Sequence, residues 1–247
     1  MLSDGHLCYN RFPVPQGPIL SHPIFERWKS LTDRIGAALS RAGRPPGSAE
    51  PVAVVKFASD DDIRALRASG LCRWFGENRV QDAQRRRSGL AEVSRTGWRF
   101  IGHLQGNKAK TALELFDAID GLDSAELAEA LQRRLEGTPR RLDVMLQVKL
   151  TERETQSGVG TDEARALLER IRSLPNLRAS GLMGIAPQEG DPRPSFKRLK
   201  GIFDALYPGS ATRETGPWLS MGMSGDFEAA VEEGATLVRI GSALFKE

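Results

Sequence analysis

The feature that most constrains this chain is a unit that recurs along it: a short apolar run, a turn of small residues, then a stretch with helical spacing. Strand-like runs fall at Val52 to Lys56, Cys72 to Phe75, Trp98 to Ile101, Ala118 to Leu122, Leu142 to Leu150 and Ala179 to Ile185. Two more lie at Leu219, where the Ser- and Gly-rich Ser220 to Gly225 is expected to end the strand, and at Leu237 to Ile240. Between them, helices are predicted from Asp60 to Ser69 with Gly70 closing, to about Gly89, to Leu115, from an Asp123 or Ser124 cap to Leu135, from Thr161 to Leu174, from Phe196 to Leu206, and from Asp226 to Gly234. Leu142 to Leu150 is the longest expected strand.

Strict βα alternation implies a parallel sheet, because parallel neighbours need a crossover. Eight units, about one every 20 to 30 residues, imply a closed (β/α)8 barrel of the TIM type. A doubly wound open sheet is the structural alternative, but no dinucleotide fingerprint follows the first strand. The last strand has no full helix after it. Ile24, Trp28, Leu31, Ile35 and Leu39 mark an additional N-terminal helix over 23–42, with Pro23 in its first turn, which is placed to cover that gap.

Residues 1–21 have no continuous apolar h-region and carry Pro13, Pro15, Gly17 and Pro18, so they read as a loosely ordered extension ahead of one barrel domain, 22–247. Composition narrows the class further. Hydrophobic and charged fractions of 40% and 27% fit a globular protein, and no apolar run approaches a membrane span. A net charge of +3 gives no argument for nucleic acid, and Arg85-Arg86-Arg87 reads as a solvated helix end. Cys8 and Cys72 form neither a disulfide framework nor a metal motif, so a reducing cytoplasm is the expected location.

In a barrel of this kind the chemistry lies at the C-terminal strand ends, and phosphate commonly binds beside strands seven and eight. There the chain has Ser224-Gly225 and Gly241-Ser242, small residues whose amides and hydroxyls suit an anion. Two ordinary βα turns are the structural alternative. Closure of the barrel brings strand one beside strand eight, so Lys56 ends next to Gly241. A lysine at a strand's catalytic end suggests an amine held for imine chemistry, with Lys149 as the second candidate and Lys108 and Lys110 on the surface. Arg239, inside the last strand, projects inward and needs a partner: Asp123, Glu77, or a ligand's ring nitrogen. Lysine, anion cradle and arginine together describe a site for pyridoxal 5′-phosphate.

The blocks PVAVVKF, FGENRVQDA, WRFIGHLQGNKAK, QSGV, GLMGIAP and LSMGMSGDFEAAVEEGATLVRIGSALF resemble the pyridoxal phosphate homeostasis protein family, over about 50–247. The resemblance implies a single barrel related to the alanine racemase N-terminal domain, binding the cofactor as a Schiff base. By position, Lys56 matches the imine lysine, and Ser224, Gly241 and Ser242 match the phosphate contacts. Arg239 matches the arginine at the pyridine nitrogen, and Asn78 and Met221 match residues of the pocket wall. The family pattern is left at Val55 and Phe57 around the lysine, at Arg79, at Gly106, and at Lys149 and Gln156, where asparagine and lysine are usual.

The resemblance also implies a cofactor carrier, not an enzyme. An arginine at the pyridine nitrogen leaves the ring unprotonated, a weaker electron sink. Alanine racemase overcomes this with a tyrosine base brought by a second domain, which this chain is expected to lack, as it is expected to lack the racemase dimer surface. Its tyrosines are Tyr9 and Tyr207, neither placed as a base, and His103 is the one acid–base candidate near neutral pH. The expected partners are the cofactor, amino acids and transiently the apo-enzymes that receive it, with no metal, no nucleic acid and no membrane, and the protein a monomer. The alternatives are a pyridoxal-dependent racemase or lyase, and a barrel that has lost its cofactor and serves as an interaction module.

Overall fold

The computed structural model describes residues 22–88, 96–151, 156–209 and 216–246. Eight parallel strands close into a barrel in chain order: β1 (Glu50–Val54), β2 (Trp74–Glu77), β3 (Gly97–Phe100), β4 (Ala118–Leu122), β5 (Leu142–Val148), β6 (Leu177–Gly184), β7 (Trp218–Met223) and β8 (Leu237–Ile240). Around them run α1 (Pro23–Arg41), α2 (Asp60–Ser69), α3 (Val80–Ser88), α4 (Ala109–Leu115), α5 (Ala125–Leu135), α6 (Ala164–Arg172), α7 (Arg193–Leu206), α8 (Phe227–Glu232) and α9 (Ser242–Phe245). This is the TIM-type (β/α)8 barrel that the alternation requires, with an additional N-terminal helix.

The local signals act as their chemistry dictates. Ser59 and Asp62 form a reciprocal capping box on α2, and Gly70 closes that helix at φ +69°. Ser124, not Asp123, caps α5 through the Leu127 amide at 3.2 Å. Buried Ile24, Trp28, Leu31, Ile35 and Leu39 form the inner stripe of α1. That helix packs on α8 and on the single turn α9, covering the gap after β8. Arg34–Glu228 (3.1 Å) and Arg41–Glu232 (2.7 Å) tie its outer edge to α8.

Alternation along the strands sorts side chains into two cores. Ala53, Phe75, Trp98, Ile119, Leu182, Leu219, Met221 and Val238 face the helices. Val52, Met145, Met183, Trp218 and Leu237 form the apolar interior, with Trp74 against them. The rest of the interior is polar: Arg99 stacks 4.7 Å above the Trp74 ring and pairs with Asp120 on β4.

Three expectations are corrected. Ser220 to Met223 continues β7; Ser220 turns inward, Met221 outward, and Gly222 takes φ +87° where the register with β8 shifts. Glycine and serine here serve a bulged strand, not a turn. The longest strand is β6, with 8 residues against 7 in β5, because it carries an extra residue at a register shift. Gly181 takes φ +144° there, and a Cβ would land 1.9 Å from the Trp218 carbonyl oxygen. The arginine run ends α3 as expected but is solvated only in part: Arg85 is exposed, whereas Arg86 Nη1 donates to the Ala58 carbonyl at 3.1 Å and Arg87 Nη1 donates to that of Leu115. These last two arginines satisfy carbonyls at segment ends that have no helical partner.

Candidate functional site

The β7 and β8 ends build the first half of the site. Asp226 Oδ1 accepts from the Met223 amide at 2.6 Å and fixes the turn after β7. The Ser224 hydroxyl oxygen then accepts from two amides past β8, Gly241 at 3.2 Å and Ala243 at 3.1 Å. Two N–H groups from one turn converge on an oxygen acceptor beside the half-exposed Ser242, a donor set suited to an oxyanion. A Cβ on Gly241 would lie 3.5 Å from Val54 and 3.6 Å from the Phe57 ring, so this cradle abuts the end of β1.

Lys56 stands across that boundary, though not on the strand. β1 ends at Val54, and Lys56 sits in a single 3-10 turn over Val55–Phe57. The pairing with β2 stops at Val54–Gly76, so the chain is released one residue before the lysine. Lys56 is exposed, with its Nζ 4.8 Å from the centre of the Phe57 ring, and Lys246 Nζ lies 4.1 Å from the same ring. Phe57 is the one large apolar side chain exposed among the described residues.

Arg239 does project into the barrel, but its partners are neither Asp123 nor Glu77. Nη1 donates to Ser220 Oγ at 2.8 Å and Nη2 to the Gly184 carbonyl at 2.9 Å. Burial pushes the guanidinium down to about 10, partly offset by the fields of Asp120 and Asp226, so it stays charged at neutral pH. Asp123 instead meets exposed His103, Oδ2 to Nδ1 at 3.0 Å. Glu77 is fully buried on the helix-facing side of β2, where burial raises its carboxyl above the ordinary value against hydrogen bonding from Asn78 and the field of Arg86.

The other candidates divide. Asn78 is exposed on the rim directly after β2, and Gly102 must be glycine for this rim to close, since a Cβ would lie 2.4 Å from the Asn78 carbonyl oxygen. Met221 is fully buried in the helix-facing core, so its side chain does not line the mouth. Lys149 follows β5, half-buried, its amide bonded to the Val159 carbonyl at 3.0 Å. Tyr207 is a packing residue: its ring lies 5.2 Å from Phe203, and burial pushes its hydroxyl up to about 12. Tyr9 and Cys8 lie outside the described residues; Cys72 is buried, which pushes its thiol up to about 12. Among the described residues no His, Cys, Asp and Glu cluster could hold a metal, and no helix is long and apolar enough to cross a membrane.

Sequence reasoning missed Ser220, the Ala243 amide and the Arg99–Asp120 pair. Ser220 carried a signal, because a serine inside a strand two residues after an inward Trp218 points inward as well. The Ala243 contact is made by backbone and has no residue signature.

The closed barrel brings the turns after β7 and β8 beside the turn that carries Lys56, and residues 29–247 match the model of the alanine racemase N-terminal domain family. The pyridoxal phosphate homeostasis protein of Aquifex aeolicus is 38% identical over 228 residues, covering 90% of this chain and 97% of its own. That of Pseudomonas aeruginosa is 38% identical over 226 residues, covering 90% and 94%. PipY of Synechococcus elongatus, solved with PLP bound, superposes with a TM-score of 0.75 at 36% identity, covering 90% of this chain and 99% of its own. The chain belongs to the pyridoxal phosphate homeostasis protein family.

Proposed function

We propose that this protein binds pyridoxal 5′-phosphate at the barrel mouth through Lys56 and acts in the homeostasis and transfer of that cofactor, without robust turnover of its own. The observation that carries the reading is the meeting of Ser224, Gly241 and Ala243 beside the Lys56 turn. The donor chemistry fits the group: amides and hydroxyls for a phosphate at Ser224, Gly241 and Ser242, an amine for an aldehyde at Lys56, and a guanidinium for a ring nitrogen at Arg239. When bound, the cofactor supplies an aldehyde that condenses with an amine and releases water. Arg239 has two neutral partners and no bonded carboxylate, so it retains donor capacity toward a pyridine. Asn78 borders the ring on the β2 side. Met221 contributes by packing β7 against its helix, which holds Ser220 and the cradle in place.

The relatives' names and the PLP-bound PipY support the same ligand. Transfer to apo-enzymes, a cytoplasmic monomer, and attachment as a Schiff base complete the proposal. The purified protein should be yellow, and borohydride should fix the cofactor to the peptide containing Lys56. Lys56→Ala should lose both the absorbance and the adduct; a reducible adduct persisting in that variant would move the attachment elsewhere, with Lys149 tested first.

The His103–Asp123 pair favours one competing reading, since a carboxylate-oriented imidazole at the β3 rim is a proton carrier. Incubating the holo-protein with alanine or serine in deuterated water tests it. Steady α-deuterium exchange at enzyme-like rates, abolished in His103→Gln, would replace the carrier by a racemase or lyase.

A further inference from the structure

Glu77 and Arg86 are not accounted for by the cofactor contacts, yet they join the two rim segments that carry Lys56 and Asn78. Glu77 has no exposed surface, and its Oε1 accepts from the Asn78 amide at 2.8 Å. Its Oε2 has no hydrogen-bond partner. The Nε of Arg86, itself without one, lies 3.6 Å from that oxygen, and the Arg86 side chain is 10% exposed. The other end of the guanidinium leaves Glu77: Nη1 donates to the Ala58 carbonyl at 3.1 Å, with Asp60 at 3.9 Å. Ala58 in turn donates its amide to the Val55 carbonyl at 2.9 Å, the bond that closes the turn holding Lys56.

One buried ion pair on the helix-facing side of β2 thus reaches both rim segments through single hydrogen bonds. A buried charge pair with an unbonded oxygen and an unbonded N–H is a costly device if apolar packing could replace it. Its place beneath the lysine turn gives it a purpose that packing lacks: a guanidinium fork fixes a carbonyl in direction as well as distance.

We infer that Glu77 and Arg86 are positioning residues for imine formation, with Arg86 bracing the Lys56 turn from Ala58 and Glu77 orienting both Arg86 and Asn78. This rests on the proposed attachment of pyridoxal phosphate to Lys56. The phosphate cradle belongs to β7 and β8 and does not depend on the brace.

The test uses the full chain and two ligands: pyridoxal phosphate, read by the rate of imine absorbance at saturation, and pyridoxamine phosphate, which has no aldehyde and reads non-covalent affinity at the cradle and Arg239 without imine formation. Arg86→Met should slow imine formation by about tenfold or more, the scale expected when a reacting group is displaced by a fraction of an ångström to one ångström. Its affinity for pyridoxamine phosphate should stay within about twofold of wild type, and Arg86→Lys, which keeps the charge but not the planar fork, should recover only part of the rate. Glu77→Gln keeps an acceptor for the Asn78 amide and removes the attraction to Arg86, so it should slow the imine too; it decides the matter alone if Arg86→Met does not fold. Imine rates within about twofold of wild type in these variants overturn the inference, as does an equal loss of both ligands, which would mark a structural role only. A wild-type protein that binds pyridoxamine phosphate but forms no imine would overturn the attachment to Lys56 and this inference with it.

Discussion

Two arginines point into this barrel and are both buried, but their surroundings are opposite. Arg99 is gripped by Asp120 through two bonds of 2.8 and 2.7 Å, with neither side chain exposed. Arg239, on β8, has a hydroxyl and a carbonyl as partners. A bidentate carboxylate neutralises a guanidinium through two of its nitrogens, so Arg99 is charge-paired inside the fold, although its buried Nη1 has no hydrogen-bond partner. Neutral acceptors orient a guanidinium without neutralising it, so Arg239 keeps a charge that the fold does not use. A buried charge with no carboxylate bonded to it, eased only by the fields of Asp120 and Asp226, costs stability, and such groups concentrate at functional sites. The arginine that looks worse for the fold is the one proposed above to face the cofactor's ring nitrogen.

The largest effect should come from breaking the Arg99–Asp120 pair. Asp120→Ala strands a buried guanidinium, and urea unfolding should report a loss of about 3–5 kcal/mol. A loss below about 1 kcal/mol would mean that Arg99 finds another partner and that the two arginines are less different than their geometry implies. Arg239→Met should separate stability from binding. Relief of the desolvation cost offsets the two lost bonds, so stability should move by less than about 2 kcal/mol while affinity for pyridoxal phosphate falls about 10- to 100-fold, the worth of a charge-assisted hydrogen bond. Strong destabilisation without loss of cofactor would reverse the roles assigned to the pair.

Glu77 lies between these extremes, buried and half-satisfied. Its carboxyl is raised in the native state, so with rising pH the unfolded chain ionises first, from about the ordinary value of 4.5, and the native state holds its proton longer. Native protein therefore loses stability relative to Glu77→Gln as pH rises through that window, and the difference is smallest below it. Urea midpoints of both proteins between pH 4 and 8 check the sign; a wild type that gains on the variant over that range would show Arg86 overcoming burial. The smallest effect belongs to the solvated pair between α1 and α8, where Arg34 and Glu228 are both well exposed. Glu228→Gln should cost under about 1 kcal/mol and matter less still at high salt.

The βα alternation was legible because parallel strands buried on both faces must be apolar and must be separated by helices. β4, β8 and α2 lie where their residue patterns place them. The misreadings share one cause, the use of residue type without direction. Ser220-Met221-Gly222-Met223 looks like a turn until Ser220 is seen to face Arg239 and Met221 the helices. Arg85-Arg86-Arg87 looks like one charged patch, but successive helical residues point 100° apart, and Arg86 and Arg87 turn to segment ends. Lys56 was legible as an oddity in an apolar run. That it sits on a 3-10 turn braced from α3 was not.

By itself the sequence determined the barrel, the small-residue turns after β7 and β8, and the adjacency of Lys56 to them, since eight ordered parallel strands close in one way and bring the first beside the last. The tertiary structure decided which charges are neutralised. Whether Arg239 meets Asp123, Glu77 or neither depends on strand register and tilt, which set interatomic distances that no residue pattern encodes. The same holds for Glu77, which leaves the mouth for the helix layer and meets Arg86 there. Topology follows from the periodicity of apolar residues; electrostatics follows from distances of a few ångströms, and those exist only in the folded barrel.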